Sequence, residues 1–275
     1  MFNNSNINTI GSYKPEKLHF IIELNKNLYE DFFVDFNNSN YSIKDKFKRL
    51  DIIVKEIQSF VRLNGYVSCT ENYFSLYCLG DKIIKLIDLS VAEEFINNFD
   101  SAVENLRNII NEDIIKNSNI NLSDKCNLSQ ILNVIDLESI NYIYSNNLVN
   151  EETIDRIVLF YNSNKEAVFE DVKYKNILGN NLKSFVFDII YIHDKITSTS
   201  NSDIVNDIKK TYNSLVSFKC NKWYCFENSG NLQEFKHLIL LLISCSNQRL
   251  SQVDLIKKQS LINDMYRNFS SDINC

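Results

Sequence analysis

The chain reads as a mainly α-helical soluble protein carrying two short β-hairpins. Three observations predict that class. The 275 residues hold only 5 Gly and 1 Pro, where average usage would give roughly 19 and 14. Few of either means few forced turns and few helix breakers. Apolar residues recur at helical spacing over long stretches. Two stretches instead alternate with period two around polar turns, Asn64 to Gly80 and Leu215 to Gly230. Hydrophobic residues at 44% and charged residues at 23% are ordinary for a folded chain. The abundance of Asn, Ile, Lys, Tyr and Phe also follows A+T-rich codons, so part of the Gly and Pro depletion has a genomic cause. Viruses, parasites and bacteria with such genomes all fit.

Residues 1 to 13, rich in Asn and Ser, read as a flexible leader. Pro15 suits a first helical turn, and Leu18, Ile21, Ile22, Leu24, Leu28 and Phe32 continue at helical spacing. Ser42 with Asp45 opens a second helix, striped by Phe47, Leu50, Ile53, Val54, Ile57 and Val61 and closed by Asn64-Gly65. A hairpin follows, with its turn at Glu71-Asn72. It sorts Val67, Cys69, Phe74, Leu76 and Cys78 to one face and Ser68, Thr70, Tyr73, Ser75 and Tyr77 to the other. "LGDKIIKLI" then resumes as helix, and "SVAE" (Ser90 to Glu93) caps a long one through Ile110. The polar stretch 117 to 129 predicts a linker between a domain at 14–116 and a second at 130–275. Helices are expected over 130–145, 151–162, 182–196, 232–244 and 252–269, with another leading into the second hairpin. Residues 167–174 fit either helix or strand.

The order helix, "LNGYV", hairpin, "YFSLYCLGDKIIKLI" between Tyr41 and Asp88 resembles the winged-helix superfamily. The likeness covers under a fifth of the chain, and its first helix is compressed into "SIKDKFK". It implies a recognition helix over Asp51 to Asn64 and contact with duplex DNA or with a partner protein. Tyr41 to Asn64 holds six basic and three acidic residues, a local +3 in a chain of net charge −6. Lys48, Lys55 and Arg62, spaced by seven, share a stripe with Gln58. Lys and Arg neutralise phosphates and Gln reads a base edge, so these four are the nucleic-acid-binding candidates. The same stripe is equally a solvated helix face, and the wing tip carries Glu71 and no cation.

No catalytic residue, metal or cofactor is expected, and an enzyme whose site is assembled from dispersed residues stays open as a third reading. Cys220, Cys225, His237 and Cys245 lack the tight pairs of a structural zinc site, and Cys220 and Cys225 share an apolar face with Phe218 and Trp223. His193 and Asp194 are sequence neighbours and point apart on a helix. The common phosphate-loop, dinucleotide, zinc-protease and nucleophile-elbow motifs are absent. Seven scattered cysteines without CxxC predict thiols in a reducing compartment, cytoplasm or nucleus. No apolar leader or membrane-length run appears, so no membrane is expected as a partner. The expected function is a non-enzymatic binding protein, a winged-helix-type DNA- or protein-binding factor. The alternative is a purely protein-protein helical interaction or assembly protein, such as a viral or parasite host-interaction factor. Oligomeric state is not legible.

Overall fold

A computed structural model describes residues 15–32, 47–67, 71–117, 125–134, 153–169, 185–198, 200–218, 223–243, 250–255 and 257. Its centre is a six-stranded mixed sheet. The strands are β1 (Glu16–Glu23), β4 (Tyr73–Leu79), β5 (Ile83–Val91), β7 (Ile154–Tyr161), β9 (Phe185–Ile192) and β10 (Cys225–Asn228), in the order β10-β9-β7-β1-β4-β5. β1 runs parallel to β4 and β7, β7 to β9, and β9 to β10, while β5 closes one edge antiparallel to β4. The smaller strands β2 (Asp31–Phe32) and β3 (Phe47–Lys48) pair antiparallel, and β6 (Lys125–Asn127) and β8 (Glu166–Val168) pair parallel.

The fold is α/β. This corrects the expectation of a mainly α protein with two hairpins and an N-terminal winged helix. The physical reason lies in burial. Leu18, Phe20 and Ile22 of β1 enter one core while Ile21 enters the other; Val158 and Phe160 of β7 likewise oppose Ile157, Leu159 and Tyr161. A strand buried on both faces is apolar at nearly every position. A run without alternation satisfies helical spacing by default, and periodicity alone cannot separate the two. The expected helices over Leu18 to Phe32, 151–162 and 182–196 are therefore β1 followed by a short 3-10 turn (Lys26–Tyr29), β7, and β9.

The expected wing is also corrected. Its second arm, Tyr73–Leu79, is the interior strand β4, pairing Phe74 with Leu18 on one side and with Ser90 on the other. Residues 68–70 of its first arm lie outside the described residues, and Val67 ends a helix. "DKIIKLI" runs into β5 rather than a helix. In the second hairpin, residues 219–222 lie outside the described residues, and Cys225–Asn228 joins β9 in parallel register.

Four described helices flank the sheet: α1 (Arg49–Val67), α2 (Ala92–Asn117), α3 (Ser202–Ser217) and α4 (Leu232–Leu242). Leu50, Ile53, Val54, Ile57 and Val61 of α1 bury in the first core with Phe95, Phe99 and Leu106 of α2 and Phe235 and Ile239 of α4. Ile208 and Leu215 of α3 cover the opposite face. The helices expected over 90–110 and 232–244 stand as α2 and α4. The Asn201 and Asn231 side chains cap α3 and α4, accepting backbone N–H groups of the first turn. Gly230 adopts φ 75° in the turn between β10 and α4, a conformation open to glycine. Beyond Ser129–Val134, a 3-10 segment, the helix expected to 145 lies outside the described residues, as does 258–269. The segment 117–129 falls between strands of one sheet, since β1 pairs with both β4 and β7.

Across three central strands, His19 Nδ1 lies 2.7 Å from Ser75 Oγ and His19 Nε2 lies 3.4 Å from Asp155 Oδ1. Ser75 is fully buried, so the row ties β4, β1 and β7 together through side chains.

Candidate binding site at the carboxyl edge of the sheet

Five of the six strands end on one edge. The chain fills the sheet on one side of β1 with β4 and β5, then on the other with β7, β9 and β10. The reversal falls between the loops after β1 and β7, the position where open α/β sheets place their ligands.

Glu23 ends β1 and is 5% exposed. Its carboxylate accepts the Asn162 backbone N–H at 3.0 Å, with further hydrogen bonds from the Ser163 backbone and the Asn25 side chain. Burial nonetheless pushes its pKa up to about 8; the hydrogen bonds and Lys165 offset only part of that. Asn25 Oδ1 accepts the Asn27 N–H at 3.1 Å, and Asn27 Nδ2 donates to the Asn162 carbonyl at 2.9 Å. The two loops are thus fastened by one carboxyl and three amides. Asn162 is fully buried and its Oδ1 has no hydrogen-bond partner. Beneath, the Tyr161 hydroxyl donates to the Lys165 carbonyl at 2.7 Å, and burial together with Glu23 pushes the Cys126 thiol up to about 12.

The next strand adds charge. His193, just past β9, places Nε2 2.9 Å from Glu227 Oε1 and Nδ1 2.7 Å from the Asp194 carbonyl. Arg49, the first residue of α1, has its N–H on the Glu30 carbonyl and its guanidinium on Asp194. That guanidinium is fully buried, yet Nε and Nη1 have no hydrogen-bond partner. An arginine presents its donors as a planar fork suited to oxyanions. One lysine sits in each of three adjacent loops: Lys26 after β1, Lys165 after β7 and Lys195 after β9. The edge can hold a polar or anionic group by hydrogen bonding. No cluster of three or more metal-ligating side chains occurs among the described residues.

The comparisons with known proteins add likeness without identity. No family model matches the chain. No curated protein matches it either. Among solved structures, the TFIIH p34 N-terminal domain aligns at 12% identity and TM-score 0.47, over 82% of this chain and 97% of that one. The PilB minor pilin from Streptococcus sanguinis aligns at 8% and TM-score 0.44, over 85% and 61%. Proximal thread matrix protein 1 from the mussel byssus aligns at 8% and TM-score 0.44, over 84% and 46%. The chain thus spans about three fifths of the pilin and under half of the thread protein. The α/β assignment rests on strand order and burial.

The four nucleic-acid-binding candidates do not form one helical stripe. Lys48 lies on β3, before the helix begins, and pairs with Asp31 at 2.8 Å. Lys55 and Arg62 are exposed on α1, with Gln58 half-buried between them. Asp51 shares that face and accepts from Arg107 at 3.0 Å. Of the imagined zinc set, Cys225 is buried, His237 is exposed, and Cys220 and Cys245 lie outside the described residues. Glu23, Asn25, Asn27, Arg49 and Asn162 were not singled out in the sequence. Their signal was the punctuation of apolar runs, "HFIIELNKN" and "IVLFYNSNK", each a buried strand running into amides.

Proposed function

We propose that the chain is a non-enzymatic protein-binding module that receives an acidic segment of its partner at the carboxyl edge of its sheet. The half-partnered guanidinium of Arg49 carries this reading: it is closed to solvent, but its partner Asp194 is half exposed, and an incoming carboxylate reaches it by displacing Asp194. Three N–H donors, on Nε and Nη1, held out of water are costly unless an acceptor reaches them, and a carboxylate is the acceptor a protein partner supplies. The lysines after β1, β7 and β9 support an acidic segment over a neutral one. Glu23, with its pKa raised to about 8, adds little negative charge near neutrality. A reducing compartment belongs to the same proposal, supported by the thiols of Cys78 and Cys225 within the two cores. No helix among the described residues is long and apolar enough to cross a membrane.

Fluorescence anisotropy tests the reading with a labelled Asp/Glu-rich peptide and a labelled DNA duplex, at low and physiological salt. The peptide is expected to bind and to weaken with salt, and Arg49→Met to lose about tenfold in affinity. Methionine is chosen because an apolar side chain of similar length replaces a buried ion at little cost, and Asp194 is exposed enough to be hydrated. Binding of the duplex instead, lost in a Lys55/Gln58/Arg62→Ala triple variant, would overturn the proposal in favour of DNA contact by α1.

A further inference from the structure

The opposite flank of the sheet carries a second feature, independent of the carboxyl edge. β5 is an edge strand, hydrogen-bonded on one side to β4 alone among the sheet strands. α2 follows it directly and lies against it. Between them runs a cavity of about 290 Å³, lined by Leu86, Asp88 and Ser90 of β5 and by Glu94, Asn98, Ser101 and Asn105 of α2, among others. The helix residues step by four, three and four, so they form one stripe. All four are exposed polar side chains beside the buried stripe of Phe95, Phe99 and Leu106, so the groove is open to solvent along its helix side.

Two observations say what the space takes. Ser90 is 7% exposed and its Oγ has no hydrogen-bond partner. The sequence "SVAE" promised a capping role for that hydroxyl, but Ser90 and Val91 extend β5 and α2 starts at Ala92. The cap is not made, and an acceptor is left at the groove. Second, the lining contains Asp88 and Glu94 and no cation; Lys85 holds Asp88 from outside the groove. Asn98 and Asn105 add amide oxygens. The lining is thus rich in acceptors and negative. Its volume, at the low end for ligand pockets, suits one long side chain rather than a whole small molecule.

We propose that β5 and the β5–α2 groove form a β-augmentation site for an extended segment of a partner protein carrying a basic side chain. The segment pairs its backbone with the free edge of β5. Its Lys or Arg side chain enters the groove and donates to Ser90 Oγ, Asp88 and Glu94. Ile84 and Leu89, each 40% exposed on β5, offer apolar contact to the flanking residues of the same segment. Edge strands are normally protected from such pairing. The two irregularities of the β4–β5 register, around Leu76, interrupt the ladder in the middle of this one and leave Ile83 to Lys85 and, beside the groove, Ser90 and Val91 regularly paired.

The test uses a short fluorescein-labelled peptide of alternating Thr and Val with one central Arg. Counterparts carry central norleucine or Glu, and a further one is N-methylated at alternate backbone positions. The Arg peptide is expected to bind about fivefold tighter than the norleucine peptide, and the N-methylated peptide not to bind. Asp88→Asn with Glu94→Gln, both exposed and tolerant of change, should bring the Arg peptide to the norleucine level. Amide resonance shifts in the wild type should map to residues 83–91 and to the groove face of α2. Equal binding of Arg and Glu peptides, no binding of any peptide, retained binding after N-methylation, or shifts confined to other surfaces would each overturn the proposal.

Discussion

Glu23 and the Arg156 cluster show opposite uses of buried charge. Arg156 sits fully buried with Phe60 beneath it at 6.0 Å, donating to Asp188 at 3.0 Å, to Glu16 at 3.1 Å and to the Leu242 carbonyl. Asp188 also accepts the Tyr224 N–H at 3.0 Å. Burial works against the Arg156 charge, and Asp188 and Glu16 outweigh it, so its pKa rises. Arg156→Ala leaves two buried carboxyls without their cation and should cost about 3–5 kcal/mol in denaturant unfolding. Among the described residues, Glu23 has no such cation in hydrogen-bond contact. Its pKa in the folded chain, about 8, exceeds the ordinary 4.5, so the native state holds a proton that the unfolded state has released. Its contribution to stability is fully present below about pH 4.5 and is lost as pH rises through about 8. Asp188, pushed by burial up to about 6, acts in the same direction at lower pH. Urea midpoints measured from pH 5 to 9 should therefore fall with pH. Glu23→Gln should flatten the upper part of that fall, with a gain of about 5 kcal/mol at most above pH 8. A Gln variant whose midpoints track the wild type would show that Glu23 is not the group responsible.

At the scale of elements, α3 and α4 owe their starts to asparagine. Asn201 and Asn231 stand in extended conformation before each helix and accept N–H groups that have no partner within the helix. Asn231→Ala should cost about 1 kcal/mol, read from thermal or urea unfolding. Ser90→Ala should cost little, because its hydroxyl caps nothing; a loss as large as that of Asn231→Ala would mean that the cap forms in solution. Local reading served α2, α3 and α4 well, because each has one apolar stripe and a polar face. It failed for β1, β7 and β9, whose side chains are buried on both faces. Sequence spacing also placed Lys48 on a stripe with Lys55 and Arg62, but the helix begins at Arg49. The stripe required Lys48 to be helical, and its pairing in β3 with the strand at Asp31–Phe32 decided otherwise.

At the scale of the molecule, the sheet joins distant parts of the chain. Glu16 pairs with Ile154, and Lys17 with both Tyr73 and Asp155. Fragments 1–117 and 130–275, made separately, should each lack cooperative unfolding and near-native circular dichroism, since β1 would lose β7 and β7 would lose β1. Two independently folded fragments would instead establish the division at 117–129. The intact chain should unfold in a single transition by circular dichroism and by Trp223 fluorescence alike, because Trp223 packs edge-on against Phe185 and Phe187 within the sheet's second core.

From the sequence alone came the apolar runs, the amphipathic helices at both flanks of the sheet, the absence of common catalytic motifs and the local excess of basic residues before Asn64. These are properties of neighbours along the chain, and composition and spacing record them. Tertiary structure alone decided that the apolar runs are parallel strands. Each is satisfied by hydrogen bonds to strands far away in sequence, and no local pattern encodes that pairing. The same holds for the two candidate sites. Glu23 meets Asn162 across 139 residues and Arg49 meets Asp194 across 145, while Ser90 became an uncapped acceptor only because β5 continues through it. Chemistry at a sheet edge is assembled by strand order, and strand order is set by the burial of both faces at once.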